Sequence, residues 1–409
     1  IMIASILVDY IVSLVIERNR EKKGICKICM GISLLFNLGM LFFFKYTNFF
    51  VDNINAFAGT HFAGIQLTLP LGISFYTFQT LSYTIDVYRG KTKAERNIVN
   101  FAAFVTLFPQ LIAGPIVKYT DVSRELRERK MNLAQINEGI TLFIFGLGKK
   151  VLIANNIGSL WNQVQDIGFS NVSTPLAWLG ILAYSFQIYF DFSGYSLMAI
   201  GMGKMLGFEF PQNFNYPYIS KSMTEFWRRW HITLGSWFRE YVYIPLGGNR
   251  VSKPRMYFNI FIVWAATGFW HGASWNFVLW GLFFFVFLVL EKTFLLKYLE
   301  KSHVFSHIYV CFFLVLSWAL FAITDFSQLG IFLERLFSFS SGSDWMYYLR
   351  NYLVTFLLAI FCSIPLVEKL YNKIKKIAFV NLLILAVILI VSIAYLVDAT
   401  YNPFLYFRF

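Results

Sequence analysis

Thr267-Gly268-Phe269-Trp270-His271-Gly272-Ala273-Ser274-Trp275-Asn276-Phe277-Val278-Leu279-Trp280-Gly281-Leu282-Phe283-Phe284-Phe285-Val286-Phe287-Leu288-Val289-Leu290 holds one ionisable side chain, His271. A helix on a soluble domain keeps a polar face for water, and this stretch has almost nothing to put on one, so its solvent is lipid. The remainder of the 409 residues agrees: 57% are hydrophobic, 20% aromatic and only 14% charged, with a mean hydropathy of +0.58. Soluble domains do not reach such values.

Apolar runs of membrane-crossing length recur at residues 1–16, 28–44, 69–85, 139–154, 175–203, 257–270, 275–296, 308–324, 348–368 and 377–397. They predict an all-α integral membrane protein with about ten passes, a single transmembrane domain over 1–409. The chain opens on Ile1 inside an apolar run, so the expectation is that a native N-terminus lies further upstream. The formal charge of +13 would suggest nucleic acid as a partner for a soluble chain. Here the cations sit in short loops between apolar runs, with 28 Lys and Arg in one set of loops against Lys45, Arg335 and Arg408 in the other. Positive-inside bias makes the first set cytoplasmic and sends the tail at 398–409 outside.

Residues 101–117 are apolar yet have basic loops on both sides, and they contain Pro109, Gly114 and Pro115. They read as a re-entrant segment facing a cavity open to the cytoplasm. The cytoplasmic stretch 204–256 is amphipathic. Phe226, Trp230, Thr233, Leu234, Trp237 and Tyr241 recur at helical spacing with Arg228, Arg229 and Arg239 between them, which predicts an interfacial helix ended by Pro245, Gly247 and Gly248.

Five histidines occur. His61, His303 and His307 fall in loops, where solvated or capping roles suffice. His271 is different: a helix over 257–271 rises roughly 22 Å, which carries its end well into a core about 30 Å thick. An imidazole at that depth needs a partner or a polar cavity, so it is a candidate catalytic group, the alternative being a hydrogen bond to a neighbouring helix. Gly268, Gly272 and Ala273 leave room beside it for a substrate or another backbone. His231 is a second candidate, with Gly235 one turn on, although an interfacial helix can keep an imidazole wet without using it.

Trp227-Arg228-Arg229-Trp230-His231-Ile232-Thr233-Leu234, then Trp237-Phe238-Arg239-Glu240-Tyr241, Tyr243-Ile244-Pro245-Leu246-Gly247-Gly248-Asn249-Arg250 and the His271 segment together resemble the bacterial membrane-bound O-acyltransferase (MBOAT) family, in its alginate and peptidoglycan O-acetyltransferase branch. Phe190-Asp191-Phe192-Ser193-Gly194-Tyr195, Phe108-Pro109-Gln110 with Gly114-Pro115, and the closing Asn402-Pro403-Phe404-Leu405-Tyr406-Phe407-Arg408-Phe409 extend the likeness over nearly the whole chain. Leu197 departs from it, standing where this branch commonly has an acidic residue. The resemblance implies a helical bundle around a tunnel, with an acyl thioester entering from the cytoplasm and a hydroxyl acceptor approaching from outside. It implies that His271 and His231 are the family's two histidines. A neutral imidazole suits the chemistry, since it can take the acceptor's proton as the hydroxyl attacks a thioester carbonyl.

The donor implied is acetyl-coenzyme A, a substrate and not a bound cofactor. Arg228, Arg229, Arg239, Arg250 and Lys253 are suitable for its phosphates by sign and side, and membrane lipid phosphates are the competing use. Asp191 is an intramembrane carboxylate that can orient a histidine or pair with a cation, and Trp270, Trp275 and Asn276 flank the candidate base. Lys149 and Lys150 read as snorkelling residues. Tyr406 is a candidate acyl acceptor on the outer face, with an aromatic anchor as the alternative. Cys26 and Cys29 form a C-x-x-C without two further ligands nearby, so no metal is expected. The expected partner is an extracytoplasmic second acetyltransferase of the SGNH-hydrolase kind. Competing readings are D-alanyl transfer to teichoic acid from a carrier-protein thioester, and a transporter or flippase.

Overall fold

The computed structural model describes residues 1–111, 114–398 and 404–405. The regular structure is all helical, with no strand among the described residues. The α-helices are α1 Met2–Arg18, α2 Lys23–Ala58, α3 Ile73–Tyr88, α4 Ile98–Thr106, α5 Phe108–Leu111, α6 Tyr119–Arg127, α7 Leu133–Gly148, α8 Asn156–Ile167, α9 Thr174–Met205, α10 Met223–Arg229, α11 Ile232–Phe238, α12 Lys253–His271, α13 Trp275–Leu290, α14 Leu296–Leu299, α15 His303–Ala322, α16 Phe326–Phe337, α17 Asp344–Cys362, α18 Leu366–Ile374 and α19 Ala378–Asp398. Three π-helical turns, Lys149–Asn155, Arg239–Tyr243 and Glu291–Leu295, interrupt or extend them.

Six helical runs are long and apolar enough to cross a membrane: Lys23–Ala58, Leu133–Ile167, Trp275–Leu299, His303–Ala322, Asp344–Cys362 and Ala378–Asp398. The other four expected crossings fall on α1, α3, α9 and α12, which are helical but shorter or more polar. α1 has 17 residues and α3 has 16, while α12 opens on Lys253 and Arg255. α9 is threaded with Ser185, Gln187, Asp191, Ser193 and Ser196. Lys45, expected in an outer loop, is instead inside α2, whose helix persists to Ala58. The expected re-entrant segment is two short helices, α4 and α5, parted at Leu107.

The chain groups into two compact units. The first is Ile1–Ile140, Ala199–Gln212 and Thr233–Val251; the second is Thr141–Met198, Asn213–Ile232 and Ser252–Phe409. In the first, α1, α2 and α3 pack around a buried carboxylate. Asp9 accepts hydrogen bonds from Ser33, Asn37 (2.7 Å) and Thr84 (2.9 Å), one donor set drawn from both neighbouring helices. A carboxylate so deep is tolerable only when satisfied in this way. Glu95 likewise accepts from the Tyr119 hydroxyl (2.5 Å) and the Arg127 guanidinium (2.9 Å), tying α6 to the loop after α3. Trp237 stacks on Phe78 at 3.9 Å and donates Nε1–H to the Phe78 carbonyl at 2.9 Å.

In the second unit, α12 and α13 form a hairpin whose backbones touch. A Cβ at Gly281 would lie 2.4 Å from the Trp264 carbonyl oxygen, and one at Gly268 would lie 2.4 Å from that of Phe277. Gly268 and Gly272 therefore serve close helix packing, the second of the two uses open to them, since a Cβ at Gly272 would strike the Phe277 ring. α19 leaves Leu382 and Ile390 each 66% exposed, the mark of a face solvated by acyl chains.

Candidate active site

His271 is the last residue of α12, and the extended Gly272 turns the chain away from it. Its ring is 5% exposed and boxed by Trp270, Trp280 and Phe321, with centroids 5.0, 4.9 and 5.4 Å away. The imidazole borders a cavity of about 20 Å³, lined otherwise by Asp191, Trp230, Trp318, Phe404 and Leu405 among others. That is room for about one water-sized group. The wall is almost wholly apolar.

Asp191 supplies the exception and is fully engaged. Its Oδ1 is ion-paired with Lys150, and its Oδ2 accepts the Leu405 N–H at 2.8 Å. Two glycines let the helices approach for this pairing: a Cβ at Gly194 would lie 2.8 Å from the Gly146 carbonyl oxygen and 3.0 Å from the Lys150 backbone nitrogen. The π-turn Lys149–Asn155 carries Lys150 into the protein, where it is 6% exposed and 5.6 Å from the Tyr195 ring centroid. The snorkelling expected of Lys150 is thus replaced by a buried ion pair, since a carboxylate one helix away offers a better partner than the interface.

His231 lies at a break in what the sequence predicts as one interfacial helix. α10 ends at Arg229, α11 starts at Ile232, and between them His231 adopts φ 44°. The Ile232 N–H donates to the Asn213 carbonyl at 2.9 Å, so the ladder is diverted to a neighbouring loop. Both residues at the break are buried: His231 is 1% exposed and Trp230 3%. His231 Nδ1 lies 3.0 Å from Asn213 Oδ1, and in the tautomer that donates Nδ1–H to that oxygen Nε2 is an acceptor with no partner among the described residues. Phe192 packs edge-on against the ring at 4.7 Å and Trp270 lies 6.2 Å away, so Trp270 touches both histidines. Burial pushes the imidazole down to about 3, which keeps it neutral at physiological pH.

Glu291 fixes this segment from its N-terminal side. Its carboxylate accepts the N–H groups of Met223 (2.6 Å) and Thr224 (2.9 Å), capping α10, and also the Thr224 hydroxyl (2.6 Å). The sequence carried a signal for it, an acidic residue just past an apolar run, but its partner is 67 residues away in the chain and not deducible from spacing.

The remaining candidates divide. Asn276 is fully buried and donates to the carbonyls of Leu320 (3.3 Å) and Phe321 (3.2 Å), closing the end of α15. Trp275 is 50% exposed. Arg229 is tied to Glu225 at 2.9 Å, Arg239 lines a separate cavity in the first unit, and Arg228, Arg250 and Lys253 are exposed. His303 is exposed at the start of α15 and His307 Nδ1 lies 3.2 Å from the Ser220 carbonyl. Tyr406 lies outside the described residues.

The sequence profile of the MBOAT, membrane-bound O-acyltransferase family matches residues 95–320, a span that includes both histidines, Lys150, Asp191 and Glu291. The chain belongs to the membrane-bound O-acyltransferase family. Within that family it is 42% identical over 321 residues to a probable alginate O-acetylase of Azotobacter vinelandii, covering 77% of this chain and 63% of that one. It is 39% identical over 312 residues to a peptidoglycan O-acetyltransferase of Helicobacter pylori, covering 69% and 58%. It is 31% identical over 244 residues to a teichoic acid D-alanyltransferase of Streptococcus thermophilus, covering 56% and 58%. The chain spans about three-fifths of the length of the curated relatives it matches. Membership and the six apolar helical runs make it a multi-pass integral membrane protein.

Proposed function

We propose that this protein is a transmembrane O-acetyltransferase of the bacterial cytoplasmic membrane. It draws an acetyl group from cytoplasmic acetyl-coenzyme A and passes it outward for O-acetylation of a cell-envelope polysaccharide such as alginate or peptidoglycan, with a second, extracytoplasmic acetyltransferase as partner. The observation that carries the reading is a buried His271 on the wall of a small, apolar cavity. The names of its relatives in two O-acetylating systems support it.

The acceptor hydroxyl oxygen attacks the thioester carbonyl while His271 takes its proton. The C–S bond then breaks, and the thiolate recovers that proton from the imidazolium. The apolar wall favours acetyl over D-alanyl, whose ammonium would need a counter-charge: the cavity's carboxylate, Asp191, already holds Lys150 and the Leu405 N–H. General-base assistance of this type is worth roughly 10²–10⁴ in rate. His271→Ala is therefore expected to lose at least a hundredfold in release of coenzyme A from radiolabelled acetyl-coenzyme A by purified protein. Equal turnover in the variant would sink the assignment, and turnover of a D-alanyl carrier-protein thioester in place of acetyl-coenzyme A would move it to the other branch.

A further inference from the structure

The first unit holds a cavity of about 740 Å³ that the proton transfer at His271 does not use. Its charged lining residues are Arg89, Lys91, Lys118 and Arg239 against a single carboxylate, Glu240. Each is built into the fold. The π-turn Arg239–Tyr243 sets Arg239 and Glu240 on the cavity wall, and π-turns concentrate at functional sites. Glu240 ion-pairs through Oε1 with Lys91 and through Oε2 with Lys118, while its backbone carbonyl accepts from Arg89 at 3.2 Å. Arg89 and Lys118 both lie 5.5 Å from the Tyr241 ring centroid, and the Tyr241 hydroxyl is anchored on Asp86 at 2.7 Å. Asp121 fixes the start of α6 by accepting the Lys118 N–H at 3.0 Å.

Glu240 thus holds two ammonium groups through its carboxylate, one of them also 3.8 Å from Asp86, and a guanidinium through its backbone carbonyl, while the Arg239 guanidinium has no hydrogen bond or ion pair among the described residues. The lining keeps an excess of positive charge in a space the size of a small-molecule pocket. Guanidinium forks and ammonium groups converging in this way are the recognition set for phosphate oxygens.

We propose that this cavity binds a phosphate-rich anion, with Arg239 and Arg89 as direct ligands and Glu240 as a resident carboxylate that holds Lys91 and Lys118 until the anion competes for them. Two sources carry that chemistry, the diphosphate and ribose phosphate of coenzyme A and the headgroup of an anionic lipid. The coenzyme A source rests on the acetyl-transfer reading; the anion site does not.

The test is equilibrium binding of radiolabelled free coenzyme A to full-length His271→Ala protein in phosphatidylcholine nanodiscs, so that turnover plays no part. Saturable binding that weakens with salt is expected, with affinity roughly tenfold lower in Arg239→Gln, which removes no hydrogen bond or ion pair found among the described residues. Glu240→Gln is expected to bind several-fold tighter, a direction that damage to the fold does not produce. If coenzyme A does not bind, but phosphatidylglycerol in the discs raises the thermal midpoint of the parent and not of Arg239→Gln, the anion is a lipid headgroup. Parent and Arg239→Gln indistinguishable in both arms overturns the site, and an acetyltransferase inactive for other reasons leaves either binding result intact.

Discussion

His231 holds φ 44°, a region where His, Asn and Asp are tolerated better than most residues with a Cβ, and it does so because its neighbour's N–H is committed to Asn213. The strained turn leaves Nε2 a buried acceptor, with Phe192 packed edge-on against the ring at 4.7 Å. Neutrality has a measurable cost. The unfolded chain binds a proton on this imidazole as pH falls through about 6.5, and the folded chain resists down to about 3, so the contribution is whole above 6.5 and is lost as pH drops toward 3. At pH 5.5 the loss is about 1.4 kcal/mol. His231→Asn keeps the left-handed backbone without the titration, so its thermal midpoint should fall less than the parent's between pH 7.5 and 5.5; parallel falls would place the acid sensitivity elsewhere. At the same scale, Phe404 and Leu405 line the His271 cavity, and Tyr406 is next in the chain. As an acyl acceptor it should carry an acetyl group visible by intact-protein mass spectrometry with acetyl donor, and Tyr406→Phe should lose it. An unchanged acetyl load would return Tyr406 to the role of aromatic anchor.

Elements explain what was legible. The apolar runs were readable because lipid demands length and uniformity, and all ten expected crossings fall on helices. The expected continuous helix through 226–241 was misread because its spacing is helical while its hydrogen bonds are not: periodicity does not reveal that Ile232 would donate to Asn213. Asp191 was readable as a buried charge, but its partner needed the π-turn that swings Lys150 inward and the Gly146–Gly194 contact that brings α7 and α9 together. That pair yields a prediction for the helices it joins. Asp191→Asn can still accept the Leu405 N–H but strands the Lys150 ammonium in a buried site, which costs about 3–5 kcal/mol. The thermal midpoint in detergent should drop accordingly, and Asp191→Asn with Lys150→Met should recover most of it. A double variant no more stable than the single one would mean that the pair is not what holds these helices.

At the scale of the molecule, its orientation rests on charge. Cations in loops are held on the cytoplasmic side by the membrane potential and the insertion machinery, and with Lys45 placed inside α2 the sequence count becomes 28 against 2, a large bias for a chain of this length. The proposed direction of acetyl transfer depends on it, because the donor must meet the basic loops and the acceptor the opposite face. The loop between α16 and α17, with Ser341 exposed, belongs to the poorly charged set, while α18, with Lys373 exposed, carries four lysines in and around it. In a background with the four native cysteines replaced, Ser341→Cys should react with a membrane-impermeant maleimide on intact cells, and Lys373→Cys should react only after the membrane is opened. These two positions are separated by a single crossing, α17, so the assay reads its direction without reference to any other helix. The reverse pattern would invert the topology and with it the side from which the thioester arrives, whereas labelling of both positions on intact cells would mean that α17 does not cross.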